Sequence, residues 1–169
     1  ALISFLCYII CWVQAADEHY YFKNLSIQDG LSQTTVNAII QDKKGFMWFG
    51  TKGGLNRYDG MLFRNFKHDM TDNHSLGNNF VTCLYQDNSG NIWVGTDAGV
   101  YIYYSDQEIF IPFDRLSREN TKIERTVSAI SGDKQGRVWI AVETQGLFCY
   151  EPQKDRLYNY TLHEFSANV

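Results

Sequence analysis

The sequence predicts an all-β fold built from β-propeller blades, and three observations support this prediction. Trp48, Trp93 and Trp139 recur at spacings of 45 and 46 residues. Each lies in a similar ten-residue phrase that begins with Asp and has Gly three positions later (residues 42–51, 87–96 and 133–142). The surrounding segments are rich in strand-forming residues. A period of this length, filled with such residues, is typical of propeller blades.

Each repeat divides into four predicted strands. The first strands are 36–40, 81–85 and 127–131. An Asp-x-x-Gly turn follows each, because Asp can hydrogen-bond the turn backbone and Gly accepts positive φ. A calcium loop is the alternative interpretation of this turn. It would need further oxygen ligands and a late bidentate Glu, which do not follow, so we expect no metal.

The second strand of each repeat carries the tryptophan. Residues 46–49 are all apolar, as expected for a strand buried on both faces between neighbouring blades. We therefore interpret all three tryptophans as core residues. Cys83 occupies the repeat position of Ala38 and Ala129, which predicts a buried thiol that takes no part in a disulfide framework.

The third and fourth strands complete each blade. The third strands are 55–58, 100–103 and 147–150, and the fourth, outer strands are 63–66, 110–113 and 157–160. Pro112 suits an outer strand, because an edge tolerates a missing backbone donor.

The chain divides into six predicted segments. Residues 1–15 form an apolar, uncharged stretch that ends in small residues, which predicts a secretory signal peptide; a membrane anchor is the alternative. Segment 20–30 is predicted as an N-terminal closing strand (Phe22–Leu25) with its loop. The blades are 31–67, 76–114 and 125–161, and 162–169 begins a truncated fourth blade. Because propellers close with four to eight blades, we expect a partial propeller that is a fragment of a longer receptor.

Charge and composition exclude some functions. The formal net charge is −4, and lysines and arginines form no run. Nucleic acid is therefore not an expected partner, since a phosphate backbone requires a clustered basic face. The four histidines have no Cys or Asp at metal-ligand spacing, and no nucleophile or phosphate-loop motif is present. We expect no catalytic residue, no metal and no cofactor.

Several phrases resemble the two-component regulator propeller repeat: Asp29-Gly-Leu-Ser32, the tryptophan phrase ending in Gly50-Thr51, and Gly54-Leu-Asn-Arg-Tyr-Asp-Gly60. The resemblance covers about residues 20–169. It departs in the third repeat, where Ala141-Val142 replaces Gly-Thr and one residue is inserted. It implies the periplasmic sensor region of a bacterial hybrid two-component histidine kinase, which recognises oligosaccharides or another small ligand. It also implies missing blades and signalling domains elsewhere in the parent chain, and a homodimeric parent.

Ligands of propellers bind mostly at the central channel, or on the face formed by loops entering the first strand and by turns between the second and third strands. Phe80 and Tyr101 are possible aromatic platforms for a sugar. Arg57 breaks the repeat and is expected to pair with Asp59 or with a carboxylate of the neighbouring blade. The polar residues predicted to bind a ligand on this face are Gln33, Lys52, Asn79, Asp97, Arg125 and Glu143.

Two alternatives to a ligand sensor stay open. A propeller glycoside hydrolase would need two carboxylates about 5–9.5 Å apart in a cleft, and Asp97 and Glu143 lie on corresponding turns of adjacent repeats. A dimerisation scaffold without a ligand of its own is the other alternative.

Overall fold

The computed structural model describes residues 21–116 and 122–160. These residues form three separate four-stranded sheets, each an antiparallel meander in which strands follow one another in chain order. Blade 1 comprises β1 (Val36–Gln41), β2 (Met47–Thr51), β3 (Gly54–Tyr58) and β4 (Phe63–Phe66). Blade 2 comprises β5 (Val81–Gln86), β6 (Ile92–Thr96), β7 (Gly99–Tyr104) and β8 (Ile109–Pro112). Blade 3 comprises β9 (Val127–Gly132), β10 (Val138–Val142), β11 (Gly146–Glu151) and β12 (Arg156–Tyr160). The predicted all-β propeller-blade fold is confirmed.

The first strands form the inner edge of the array. β5 packs against β1 on one side and against β9 on the other. Each first strand also contains a β-bulge at its second residue, which is Asn37, Thr82 or Ser128. A bulge re-aims the side chain of its extra residue, and in blades 1 and 2 this side chain points to the neighbouring blade.

The Asp-x-x-Gly turns join the first and second strands as the sequence predicts. Gly45, Gly90 and Gly136 have φ of 90°, 89° and 78°. At each turn, the amide of this glycine donates to the carbonyl of the leading aspartate, at 2.9–3.1 Å. Positive φ at these positions favours glycine, because it has no Cβ.

The hydrophobic core lies between neighbouring blades. Trp48 and Leu55 of blade 1 pack with Val81, Val94 and Tyr103 of blade 2. A second cluster joins blades 2 and 3 in the same way, with members that include Trp93, Val100, Val127, Ile130 and Ile140. The sheet of blade 2 is therefore buried on both faces, as its unbroken apolar second strand indicates.

The three tryptophans differ in burial, which corrects the prediction that all are core. Trp48 and Trp93 are 1% and 3% exposed, whereas Trp139 is only half-buried. Trp48 and Trp93 contact Tyr103 and Tyr150 of the following blade. Trp139 occupies the same position on the last described blade, so its ring stacks only on Tyr160 of its own blade among the aromatic contacts described.

The predicted N-terminal closing strand forms no strand in the structure. Residues 21–26 lie before a single-turn 3-10 helix (Ile27–Asp29) and have no regular secondary structure, and Phe22 is 97% exposed. A closing strand would pair with a strand of another blade, and the three described sheets contain no such pairing. The closing strand therefore stays a prediction.

Several predicted segments lie outside the described residues: the signal peptide, the fourth-blade start at 162–169, and residues 117–121 of the loop before blade 3. A second 3-10 helix, Phe113–Arg115, follows β8. Within 21–116 and 122–160, no helix approaches the length and hydropathy of a membrane span.

Candidate functional site

One end of the array carries the turns between second and third strands together with the residues that lead into the first strands. We call this end the lead-in face. The amide of Asp97 donates to the carbonyl of Phe80 at 3.1 Å, and the amide of Glu143 donates to the carbonyl of Thr126 at 2.9 Å. The turn of each of these blades is therefore tied to the residue just before its own first strand. Asp97 and Glu143 are both exposed at matching positions of adjacent blades.

Threonines at the ends of the second strands shape two of these turns. The hydroxyl of Thr51 donates to the carbonyl of Gly54 at 2.9 Å and accepts from the amide of Gly53 at 3.0 Å. Thr96 does the same in blade 2. Blade 3 has Val142 instead, and its longer turn includes Thr144 at φ 62°. Loss of the hydroxyl thus accompanies a different turn conformation.

Lys52 is the candidate that joins two blades on the lead-in face. Its exposed ammonium group lies 5.1 Å from the centroid of the Phe80 ring. Phe80 precedes the first strand of blade 2, so this cation–π contact links the turn of blade 1 to the start of blade 2. Such contacts contribute about 0.5–1 kcal/mol at exposed sites. One face of Phe80 is therefore already covered by a cation.

Gln33 and Asn79 bind their own loops. The side-chain carbonyl of Gln33 accepts from the amide of Thr35 at 2.6 Å, and that of Asn79 accepts from the amide of His68 at 2.7 Å. Arg125 is exposed, two residues before the first strand of blade 3. The structure places Gln33 beside Gly53, next to Lys52, but shows no contact that brings all six candidates together.

A cavity of about 250 Å³ lies on the lead-in face beside blade 2, and none of the six candidates lines it. Tyr101 forms part of its wall and packs against Gly77. Burial raises the pKa of the Tyr101 phenol, and the carboxylates of Asp114 and Asp97 add to this. Charged residues Asp114, Arg115 and Glu124 also line this cavity.

The sequence predicts Tyr101 as a possible aromatic platform but does not single out the charged residues beside it. Asp114 and Arg115 lie in the 3-10 helix that follows the outer strand of blade 2. Their position on a loop that leads into the next blade is the signal that could have identified them.

Arg57 pairs with a carboxylate of the neighbouring blade, which was one of its two predicted partners. Its guanidinium lies 3.4 Å from Glu108, and Arg64 reaches the same carboxylate oxygen at 2.6 Å. The hydrogen bond from Arg64 is the main cause of the lowered pKa of Glu108. Arg57 also lies 4.7 Å from the Phe46 ring. Arg57 and Arg64 of blade 1 thus bind Glu108 of blade 2 and join the two blades near their outer strands.

The leading aspartate of the first Asp turn is hydrogen-bonded within that turn, and both described cysteines are free thiols. Oδ1 of Asp42 accepts from the amides of Lys44 and Phe46 at 2.9 and 3.0 Å. Cys83 and Cys149 are free, and burial raises the pKa of both thiols.

Comparison with known proteins adds to this picture. A sequence profile described as the two component regulator propeller matches residues 30–53 and 75–98. The chain is 39% identical over 75 residues to Histidine kinase P4 of Formosa agariphila, an alignment that covers 44% of the chain and 5% of that protein.

Two solved structures share the fold. The extracellular domain of the putative hybrid two component system BT3049 from B. thetaiotaomicron aligns with a TM-score of 0.77 and 27% identity, covering 87% of the chain and 21% of that structure. The corresponding domain of BT4673 from the same organism aligns with a TM-score of 0.60 and 23% identity, covering 76% and 19%. The chain thus spans about a fifth of these domains. Two segments of the chain are thus similar to the two component regulator propeller, and its three stacked sheets are similar to part of the extracellular domain of a hybrid two component system.

Proposed function

We propose that this chain is part of a ligand-sensing propeller in the extracytoplasmic region of a hybrid two-component histidine kinase. The single observation that carries the proposal is the exposure of charged residues on matching turns of one face, in a fold similar to the extracellular domain of a hybrid two component system. Because such a region lies outside the inner membrane, we place the chain in the periplasm.

The chemistry of the lead-in face favours a polar small ligand, with oligosaccharides as the first class to test. Lys52, Asp97 and Glu143 offer donors and acceptors to hydroxyl groups. Tyr101 supplies an aromatic wall beside the cavity described above. Sugar sites combine such polar groups with aromatic surfaces.

We propose that the chain acts by binding alone. Hydrolysis would require a pair of carboxylates placed across a bound sugar. Asp97 and Glu143 sit on turns of different blades, and each turn is tied to its own blade. Signal output would come from other domains of the parent protein, and a homodimeric parent would bring two such propellers together.

The test is a thermal-shift screen of the chain against oligosaccharides of several glycosidic linkages, with an assay for new reducing ends in the same samples. We expect one class to raise the midpoint of unfolding without bond cleavage. Asp97→Ala should weaken the affinity for that class about 10-fold, the equivalent of one hydrogen bond.

The matched control is Asp106→Ala, which removes an exposed aspartate from a turn at the opposite end of the sheet. Its affinity should equal that of the wild type. New reducing ends would instead indicate a hydrolase. The absence of a shift with every sugar would contradict the sensor proposal and favour a scaffold.

A further inference from the structure

Tyr101 departs from the repeat at a position that is buried in the other two blades. It pairs with Val94 in the second strand of blade 2, and Asn56 and Phe148 hold the same register position in blades 1 and 3. Asn56 and Phe148 are 0% and 1% exposed, whereas Tyr101 is only partly buried. Among the described blades, blade 2 therefore brings an aromatic side chain with a hydroxyl group to the wall of the cavity on the lead-in face.

Two glycines set the position of this ring and of the segment beside it. A Cβ added to Gly77 would overlap the ring of Tyr101, and a Cβ added to Gly99 would overlap the carbonyl oxygen of Ile123. Gly99 also has φ of 122°, a conformation that favours glycine. Close packing on the backbone therefore fixes both the Tyr101 ring and the segment that leads into blade 3, and both line the cavity.

The other groups that line the cavity suit the hydroxyl groups of a sugar. Asp114 and Glu124 offer carboxylate oxygens as acceptors, Arg115 offers guanidinium donors, and all three residues are exposed. Burial raises the pKa of the Tyr101 phenol, and the carboxylates of Asp114 and Asp97 raise it further. The phenol therefore keeps its proton at neutral pH and can also donate to a ligand.

The size of the cavity favours one sugar unit. Its volume of about 250 Å³ lies just below the range of about 300–1,000 Å³ that is typical of pockets for drug-sized ligands. An aromatic wall beside a few convergent polar groups is the usual composition of such a site. A longer saccharide would place one unit in the cavity and extend over the exposed turns of the lead-in face.

The charge of the cavity restricts which sugar unit can enter. Asp114 and Glu124 carry two negative charges and Arg115 carries one positive charge, so the described lining has a formal charge of −1. Lys122 offsets part of the charge of Glu124 through an exposed ion pair at 3.4 Å. Asp114 acts on the Tyr101 phenol more strongly than Asp97 does, which identifies Asp114 as the carboxylate that a ligand on this ring would meet first.

We propose that this cavity holds one neutral sugar unit of the ligand, and that its carboxylates make the site reject saccharides that carry a carboxylate or a sulfate at that unit. Tyr101 is the platform, and Asp114 is the residue that discriminates between neutral and anionic units. This inference rests on the proposed function and narrows its ligand class from oligosaccharides in general to neutral ones.

The test measures the affinity of the full chain for pairs of oligosaccharides that share length and linkage and differ in the charge of one unit. The pairs contain glucose against glucuronic acid, and galactose against galacturonic acid. In calorimetric titrations at low salt, we expect the neutral member of the preferred pair to bind about 5- to 20-fold more tightly, because an anionic group beside Asp114 is repelled. High salt should reduce this preference, since the cavity is open to solvent.

Three variants assign the preference to its residues. Asp114→Asn removes the charge and keeps the shape, so the preference should fall below about 3-fold. Asp106→Asn is the matched control, because Asp106 is an exposed aspartate in a turn at the opposite end of the sheet, and it should keep the wild-type preference. Tyr101→Phe keeps the ring on Gly77 and removes the hydroxyl, so both members of the pair should bind about 3- to 10-fold more weakly.

A thermal melt of each variant shows whether it folds. If Asp114→Asn does not fold, Glu124→Gln removes the other lining carboxylate at an exposed position and should lower the preference in the same direction.

Equal or tighter binding of the acidic member to the wild type would overturn this inference and leave the ligand sensor standing. A preference that keeps its wild-type size in Asp114→Asn would also overturn it, because the charge of the cavity would then not set the specificity. If no saccharide of either kind binds, the proposed function itself is contradicted, and this inference with it.

Discussion

The indole nitrogen of Trp48 donates a 2.7 Å hydrogen bond to Oδ2 of Asp42, and both residues are buried. The same bond joins Trp93 to Asp87 and Trp139 to Asp133, each at 2.9 Å. The aspartate therefore binds the turn through one oxygen and the tryptophan through the other. This relationship explains why the two residues keep a fixed spacing of six in all three blades.

Replacing Asp42 by Asn should destabilise the chain by about 1–3 kcal/mol. The amide has one acceptor instead of two, so either the indole or the turn amides lose their partner while buried. Denaturant-induced unfolding measures the change. Asp106→Asn is the control, because Asp106 makes an exposed ion pair with Lys44 at 3.7 Å, and such pairs contribute little. Equal effects of both variants would refute this account.

Gly50→Ala should cost about 1–3 kcal/mol, since the new Cβ would contact Val81 at less than van der Waals distance. Val81→Ala removes Cγ1, the nearer of the two Val81 carbons at this contact, so the double variant should be more stable than the sum of the two single effects predicts. A double-mutant cycle of unfolding free energies measures this coupling. Strict additivity would show that the valine does not sit on the glycine.

Thr82→Val should cost about 1 kcal/mol, because it removes the hydroxyl that reaches the carbonyl of Val127 in the next blade and keeps the side-chain shape. Ser128 occupies the same bulge but bonds its own blade and is exposed. We therefore expect Ser128→Ala to change the unfolding free energy by less than about 0.5 kcal/mol. A larger loss for Ser128→Ala than for Thr82→Val would contradict the assignment.

The ion pairs of Glu108 with Arg57 and Arg64 should stabilise the fold less as the salt concentration rises. Glu108→Gln removes the charge that Arg64 and Arg57 share, and its effect on the melting temperature should fade at high ionic strength, because the group is accessible to solvent. Arg57→Ala should keep most of its effect in salt, since Arg57 also packs on the rings of Phe46 and Trp48. Parallel salt dependence of the two variants would indicate that the aromatic contact is unimportant.

The pKa of Asp133 is lowered from 3.8 to about 2, first by the hydrogen bond from the Trp139 indole and then by Arg137. A folded-state pKa below the unfolded value means that ionised Asp133 stabilises the fold above about pH 4, and that this contribution disappears as the pH falls towards 2. The difference in melting temperature between wild type and Asp133→Asn should therefore shrink from pH 4 to pH 2. A constant difference over this range would rule out the lowered pKa.

Much of the fold could be predicted from sequence, because each blade is built from local hairpins. The period of the tryptophans, the Asp-x-x-Gly turns and the apolar second strands are properties of neighbouring residues, and they place the strands correctly within one or two positions. That Arg57 pairs with a carboxylate was also predictable, since a charge that breaks an apolar repeat needs a partner; the sequence left Asp59 and a carboxylate of the neighbouring blade as alternatives, and the structure shows Glu108.

The site was less predictable, because it depends on how separate blades meet. Lys52 lies over Phe80, and Gln33 and Asn79 bind their own loops. Strand patterns contain no information about these contacts. The half-burial of Trp139 has the same origin: its sequence phrase matches the other two, but no following blade is described beside it.

The sequence by itself determined the class of protein: radial blades of four short strands, held by tryptophan and aspartate at a constant spacing. Only the tertiary structure decided which polar residues face solvent and which charges join blades. It also decided that Val81 packs against Gly50 and Val127 against Gly95. The reason is physical. Turn chemistry and hydrophobic periodicity act between residues close in the chain, whereas the packing of one sheet on the next joins residues about 30 to 50 positions apart.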